Sequence, residues 1–592
     1  MGEDAVRTAK GQGPLRFLLD ATKGRRGLFA ASLGAASLAA VCSLGPVLVV
    51  YAIARIVVDG AATGAGHAAL WPAVAGLVAA ALQLTFSAGA NVAGHKLAFA
   101  IQKDLRLALV DRLGRMPVSA VEGRAGEIRK TALSDTGKLE GLLAHVLPDM
   151  AGGVAAFLAG TTLLAVVDWR LALAGLALLP LAWVAQRLTY RGGAELFAEW
   201  SGVEAEANQA MLSYVRGIGT LKAFNRLAST LTTVTRSMYR LRDLSVSVAR
   251  RSRYPYSLFN AALGTNLLVV LPVATFLAAT GGIGVPEFVL ATALGARLTA
   301  PLAKTVIAAN VLSRAGASVE RIQSLLSMPV IADGGTAPLP AGNTIRFHGV
   351  SFAYPNGREM LRDIDLEIPE GKVTAIVGPS GAGKSTLARL IPRLEDSTSG
   401  HVSLGGVNVR DLTLADLRSR IAVVFQETVL AEGSIAEAIA LARPEANASA
   451  VEEAAVAARL SGFDLQASVG DRGSRLSGGE KQRVGIARAI LKDAPILILD
   501  EATAFVDAEN EAEVQRAIAS ASRDRTLVVI AHRLASVAHA DRIVVLADGR
   551  IEACGDHAEL LDRSPTYVRL WAAQATAADW TLDRNGSLEA AT

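Results

Sequence analysis

The run VTAIVGPSGAGKSTLARLI, residues 373–391, carries the chemistry most easily read from this chain. Gly378–Thr386 (GPSGAGKST) fits the pattern G-x-x-x-x-G-K-[ST] between an apolar strand and a helix, the arrangement that cradles phosphate. Gly378, Gly381 and Gly383 keep side chains away. Pro379, Ser380 and Ala382 fill the rest of the loop, so backbone N–H groups can wrap an anion. Lys384 reaches the terminal phosphates, Ser385 can place its hydroxyl on Mg²⁺, and Thr386 follows as the helix turns its positive end toward the ligand. PILILDEATA supplies a partner. Ile496–Leu499 reads as a buried parallel strand that delivers Asp500 and Glu501 at its carboxyl end, where open α/β sheets bind ligands. Asp500 would hold Mg²⁺, directly or through water, and Glu501 is placed to polarise an attacking water. The plain alternative is two solvated acids at a strand exit; the phosphate loop beside them weighs against it.

These elements need a soluble α/β body, yet the chain is 51% hydrophobic over 592 residues. Apolar runs fill the first half, and charge is denser after about Asn343. Six segments approach the roughly 20 apolar residues needed to cross a bilayer: 28–58, 68–100, 140–168, 170–190, 254–280 and 285–312. Residues 60–70 and 281–287 hold no Lys or Arg, whereas the connection after the second segment carries Lys103, Arg106, Arg112, Arg115, Arg124, Arg129 and Lys130. Basic flanks face the cytoplasm, which puts both termini and both long connections on that side. Residues 1–27 read as a cytoplasmic leader, with no secretory cleavage site. A net charge of +4 and the lack of a basic patch with interleaved aromatics argue against nucleic acid. Cys42 and Cys554 sit in different contexts, which disfavours a disulfide or a cysteine metal site.

Charge inside the membrane half is costly, about 2.5–3.5 kcal/mol per Arg or Lys at a span centre. Arg297 and Lys304 lie two turns apart in the sixth segment, so one side can turn both away from lipid. Gln83, Ser87, Asn91 and His95 recur every four residues in the second segment, and Asn260 and Asn266 mark the fifth. Each can be explained by hydrogen bonds between helices. Together they outline a candidate solute cavity lined by Gln83, Asn91, His95, Asn260, Asn266, Arg297 and Lys304. His95 alone says nothing of a metal.

LSGGEKQRVGIARAI, residues 476–490, resembles the signature motif of ABC transporters. The other motifs stand in that family's order. Tyr354 in SFAYP resembles the aromatic that stacks on adenine, and Gln426 in VVFQET the glutamine that senses Mg²⁺ and water. Asp507 resembles the D-loop aspartate, and His532 in IAHRL the histidine that contacts the γ-phosphate. Ser477, Gly478, Gly479 and Glu480 open a helix whose free N–H groups attract phosphate, and in the family this element serves the ATP of a second nucleotide-binding domain. Glu480 stands in place of the commoner Gln, and Ala504–Phe505–Val506 replaces the usual Ser-Ala-Leu.

The resemblance covers the whole chain. It implies the exporter-type (type IV) fold: an all-α six-helix transmembrane domain followed by an α/β P-loop ABC nucleotide-binding domain. The expected boundaries are a transmembrane domain over 28–325, a linker over 326–342, the nucleotide-binding domain over 343–575 and a flexible tail over 576–592. Val118–Gly126 and Ser213–Asn225 resemble the coupling helices at the tips of the two cytoplasmic connections. ATP and Mg²⁺ are the implied cofactors. A second half-transporter is the implied partner, as a heterodimer or a homodimer. With Glu501 and His532 both present, this is not the degenerate half of an asymmetric pair.

The string DEATAFVDAENEAEVQRAI, residues 500–518, is similar to the siderophore-handling branch of these transporters. Those heterodimers bring ferric siderophores of the mycobactin or carboxymycobactin type inward across the inner (plasma) membrane. The Ala- and Arg-rich composition agrees. One subunit of such pairs carries a flavin-binding, iron-reducing domain; the leader of this chain is too short for it, the expectation for the other subunit. A homodimeric lipid or multidrug exporter of the same fold, and an ATP-gated channel or regulator, remain open at this point.

Overall fold

The computed structural model describes residues 14–59, 68–189, 191, 193–225, 227–500, 508–531 and 533–578. Two compact units divide it: residues 1–110 with 127–327, and residues 111–126 with 328–592. The segment Asp111–Gly126, expected within the membrane domain, groups with the second unit instead.

The first unit is helical. Among the described residues five helices are long and apolar enough to cross a bilayer: Lys23–Asp59, Leu70–Arg115, Ala125–Val167, Trp169–Thr189 and Leu231–Ala279. Trp71, Leu77, Leu84 and Val166 are exposed on them, as lipid-facing side chains would be. The sixth expected span differs. It is two helices, Val285–Gly295 and Ala300–Leu326. Arg297 falls in the break and Pro301 opens the second piece, where a residue without an N–H costs nothing. The interruption leaves Gly295 O free at the end of the first piece and puts Thr299, in the break, beside the end of the helix Leu227–Gly264. Asn266 Nδ2 donates to Gly295 O at 3.4 Å, and Thr299 Oγ1 donates to Leu263 O. Part of the leader is a helix, Pro14–Ala21, that buries Phe17 and Leu18; Arg25 just beyond it pairs with Asp104 at 2.8 Å.

Where the third span extends past the membrane, Asp135 is fully buried. It accepts from Arg321 Nε at 2.7 Å, Arg321 Nη2 at 2.8 Å and Ser318 Oγ at 2.9 Å. This clamp ties the third helix to the last helix of the unit.

The second unit is built on two sheets. Strands β1 (Ile345–Ala353), β2 (Glu359–Ile368), β4 (Ser399–Leu404) and β5 (Val407–Asn408) form an antiparallel sheet in the order β2-β1-β4-β5. Strands β3 (Val373–Val377), β6 (Ile421–Val424), β7 (Ile496–Asp500), β8 (Thr526–Ile530), β9 (Arg542–Ala547) and β10 (Arg550–Gly555) form the other, in the order β10-β9-β3-β8-β7-β6. Its strands run parallel except for the edge strand β10. All five residues of β7 are buried, as a strand covered on both faces requires. One core joins Phe347, Leu361, Ile376, Leu387 and Ile498; a second surrounds the helix Gly478–Lys492 with Val424, Ile439, Val484 and Leu497.

Candidate ATP site and coupling contact

β8 lies between β3 and β7, so the carboxyl ends of β3 and β7 are two strand spacings apart, about 9–10 Å. The loop after β3 bridges that gap. Its glycines have positive φ: 150° at Gly378, 82° at Gly381 and 105° at Gly383. A Cβ on Gly378 would lie 2.0 Å from Leu546 O, and one on Gly383 would lie 2.9 Å from Met360 O. Both positions therefore require glycine, and together they form a backbone cradle. Lys384, 5% exposed, folds its ammonium over the cradle and donates to Gly378 O at 2.9 Å and Pro379 O at 3.1 Å. Ser385, one residue into the helix Lys384–Leu390, donates through Oγ to Asp500 Oδ1 at 3.0 Å. The hydroxyl and the buried carboxylate named from sequence thus meet across the sheet. Two hard oxygen donors at the mouth of a phosphate cradle fit a Mg²⁺ ion that keeps some of its waters.

Tyr354 hydrogen-bonds through its hydroxyl with Thr386 Oγ1 at 2.9 Å, and Phe352 packs edge-on against its ring with centroids 4.9 Å apart. That stations an aromatic face beside the loop. Gln426 is exposed just past β6. Glu501, Asp507 and His532 lie outside the described residues, as do residues 60–67 and those beyond 578. The chain order still places Glu501 directly after buried Asp500, and His532 two residues past β8.

Ser477 caps the helix Gly478–Lys492. Its hydroxyl accepts from Glu480 N at 3.3 Å, and the Glu480 carboxylate accepts from Ser477 N at 2.8 Å. Glu480, noted from sequence only as a departure, closes this reciprocal capping box. The Gly478 and Gly479 N–H groups remain at the helix start, where the dipole favours an anion.

A feature missed from sequence joins this site to the connection after the second membrane-length helix. The short helix Val118–Val121 docks in the second unit against the end of the phosphate-loop helix. Val118 N donates to Leu394 O at 3.0 Å. Ser119 donates to Glu395 twice, N to Oε1 at 2.6 Å and Oγ to Oε2 at 2.8 Å. Arg389, on the helix that begins with Lys384, pairs with Glu122 at 2.9 Å. Glu395 is 3% exposed, and burial raises its carboxyl pKa despite the bonds from Ser119. Ser119 lies in the segment singled out as a coupling tip; Glu395 has no local signal, because its partner is 276 residues away. The second tip is the helix Ile218–Ala223 between two long helices, with Ile218 39% and Phe224 74% exposed.

The candidate cavity residues do not share one environment. Gln83 is half-buried, and Asn91, Asn260, Arg297 and Lys304 are exposed. Asn260 is turned onto its own helix, donating to Tyr256 O at 2.9 Å. Asn266 is buried on Gly295, as described above. His95 meets Glu140 and His145.

A glycine cradle with a hydroxyl–carboxylate pair at the carboxyl end of a parallel sheet, in a chain whose other unit holds membrane-length helices, defines a membrane ATP-binding protein. Residues 33–302 match the family model for the ABC transporter transmembrane region and residues 361–504 match the ABC transporter family model. The chain belongs to the ABC transporter family and has the half-transporter arrangement of its exporter fold. It is 34% identical to the mycobactin import ATP-binding/permease protein IrtA of Mycolicibacterium smegmatis, over 89% of this chain and 62% of that one. It thus spans about three fifths of the length of IrtA. It is 33% identical to IrtB of the same organism, over 83% of this chain and 86% of IrtB. It is 35% identical to the ATP-dependent lipid A-core flippase of Chromobacterium violaceum, over 70% of this chain and 72% of the flippase. A bacterial Atm1-family ABC exporter with ATP bound superposes with a TM-score of 0.76 at 26% identity, covering 93% of this chain and 99% of the exporter.

Proposed function

We propose that this chain is one half of a paired, ATP-driven membrane pump, and that its cargo is an iron-loaded siderophore of the mycobactin or carboxymycobactin type, imported by a heterodimer. The ATP-driven part rests on one observation above others, the contact of Ser385 with Asp500 at the mouth of the glycine cradle. The siderophore part is supported by the relatives named for mycobactin import and by the string after Asp500. The pump sits in the plasma membrane with its nucleotide-binding domain in the cytoplasm.

In this reading the backbone of Gly378–Gly383 wraps the phosphates, and Lys384 leaves its carbonyl partners for phosphate oxygens. Ser385 and Asp500 hold Mg²⁺, which supplies charge neutralisation when bound. Glu501 orients the attacking water and His532 steadies the terminal phosphate. Phosphoryl transfer needs little more than such positioning. The Gly478–Gly479 N–H groups of one half close on the ATP of the other, so each cleavage needs two chains. Closure moves the helix Lys384–Leu390 and, through Arg389 and Glu395, the docked tip at Ser119. The exposed tip at Phe224 is offered to the partner's domain. Alternating access of the membrane half follows.

A lipid exporter is the second reading, favoured by the flippase relatives and by exposed Arg297 and Lys304, which suit anionic headgroups. Vesicles holding the chain and its partner separate the two. The siderophore reading expects ATP-dependent uptake of radioactive iron bound to carboxymycobactin, lost in the Arg297→Ala/Lys304→Ala double variant. Flipping of labelled lipid without iron uptake would replace it, and ion current without stoichiometric ATP use would mean a channel.

A further inference from the structure

His95, expected above as a wall of the solute cavity, clusters with Glu140 and His145, which have no part in the chemistry above. His95 lies on the second-span helix, and Glu140 and His145 lie on the third. One ligand atom from each falls within 4.8 Å of the other two. His95 Nδ1 stands 3.2 Å from Glu140 Oε1, and the rings of His95 and His145 meet edge to face with centroids 4.8 Å apart. Four ligands at 2.0–2.2 Å around a tetrahedral ion are about 3.3–3.5 Å from one another. The His95–Glu140 edge already has that length, and His145 needs to approach by about 1.5 Å.

Three further observations indicate a built site. Residues five apart in an α-helix point to nearly opposite sides, about 140° apart. Between Glu140 and His145 the helix passes into a π-turn, Leu142–Val146, whose wider i→i+5 winding brings positions five apart onto one face. Next, Gly94 lets the two helices touch: a Cβ there would lie 2.9 Å from Ala144 O. That contact sets the neighbouring residues, His95 and His145, ring against ring. Finally, His95 Nδ1 is buried and meets the Glu140 carboxylate at 3.2 Å without a well-directed hydrogen bond. A metal ion is a partner that two imidazoles and a carboxylate can share.

We propose that His95, Glu140 and His145 form a binding site for one zinc-class divalent ion, with a fourth position open to water. Two imidazole nitrogens and one carboxylate oxygen suit Zn²⁺ and its neighbours, and are too few and too soft for Ca²⁺ or Mg²⁺. The site lies at the inner membrane surface. His95 is roughly 25 residues from the outer end of its helix at Leu70, and His145 roughly 22 from Val167. At 1.5 Å per residue these distances slightly exceed the roughly 30 Å hydrocarbon layer. His145 is exposed, which leaves the ion a way in, and the bound ion would pin the second helix to the third.

The test uses the full chain in detergent, stripped with chelator and titrated with Zn²⁺ against a chromophoric competitor. Wild type should hold one ion per chain. His145→Ala, at an exposed position that the fold tolerates, should weaken binding by at least about tenfold, as should Glu140→Gln. Co²⁺ should give the intense visible bands of a tetrahedral site in wild type and lose them in His145→Ala. Equal affinity in wild type and His145→Ala, or no more ion retained by wild type than by the His95→Ala/His145→Ala double variant, would overturn the proposal.

Discussion

Lys384 spends its charge on two loop carbonyls, Gly378 O and Pro379 O, the positions from which it can reach phosphate oxygens. A charge-assisted hydrogen bond contributes about 1.5–3 kcal/mol. Lys384→Ala should therefore weaken ATP binding by roughly ten- to a hundredfold, read by titration with a fluorescent nucleotide; unchanged affinity would remove Lys384 from the cradle. At this scale the sequence is a good guide, because the cradle is contiguous. Gly378, Gly381 and Gly383 could be recognised by spacing, and the structure adds why two of them cannot change. Asp500 was legible because a buried strand ends on it. Glu395 was not, since nothing near it in the chain marks an acid that will be buried against Ser119. Glu480 was seen as a deviation, and only the capping geometry explains what a carboxylate does there.

At the scale of elements, two joints matter: the docked helix Val118–Val121 and the clamp on Asp135. Glu395 has a folded pKa raised above its unfolded value of 4.5. A raised carboxyl binds its proton more tightly when folded, so the docked state loses stability as pH rises from the unfolded pKa through the folded one. Glu395→Gln should flatten that slope in thermal-unfolding midpoints measured as pH rises above 4.5. A slope that persists would mean another group titrates at this joint. At the other joint, removing one partner of a buried pair leaves the rest uncompensated. With Arg321 a third exposed, Asp135→Ala should cost about 2–4 kcal/mol, seen as a lowered melting temperature in detergent; an unshifted midpoint would show the clamp to be slack. Hydropathy located the helices that bracket these joints but not the break in the sixth span. The run 285–312 is apolar enough on average, while Arg297, Pro301 and the Asn266 bond to Gly295 O mark where it divides.

For the whole molecule, the central statement is that cleavage of ATP between paired nucleotide-binding domains drives a change in the membrane half. The helix Val118–Val121, expected as a coupling tip, groups with the second unit, and the segment expected as the other tip exposes Phe224 and Ile218. The order of units was legible from hydropathy and charge alone. The grouping of Asp111–Gly126 with the second unit was not, because it depends on contacts made hundreds of residues away. The most direct measurement follows hydrolysis and cargo movement together in vesicles containing this chain and its partner half, comparing wild type with Glu501→Gln. Wild type should cleave Mg²⁺-ATP and move cargo in proportion, while Glu501→Gln should stop both and hold the two halves together when ATP is added. Cargo movement that continues in Glu501→Gln without ATP cleavage would contradict the account.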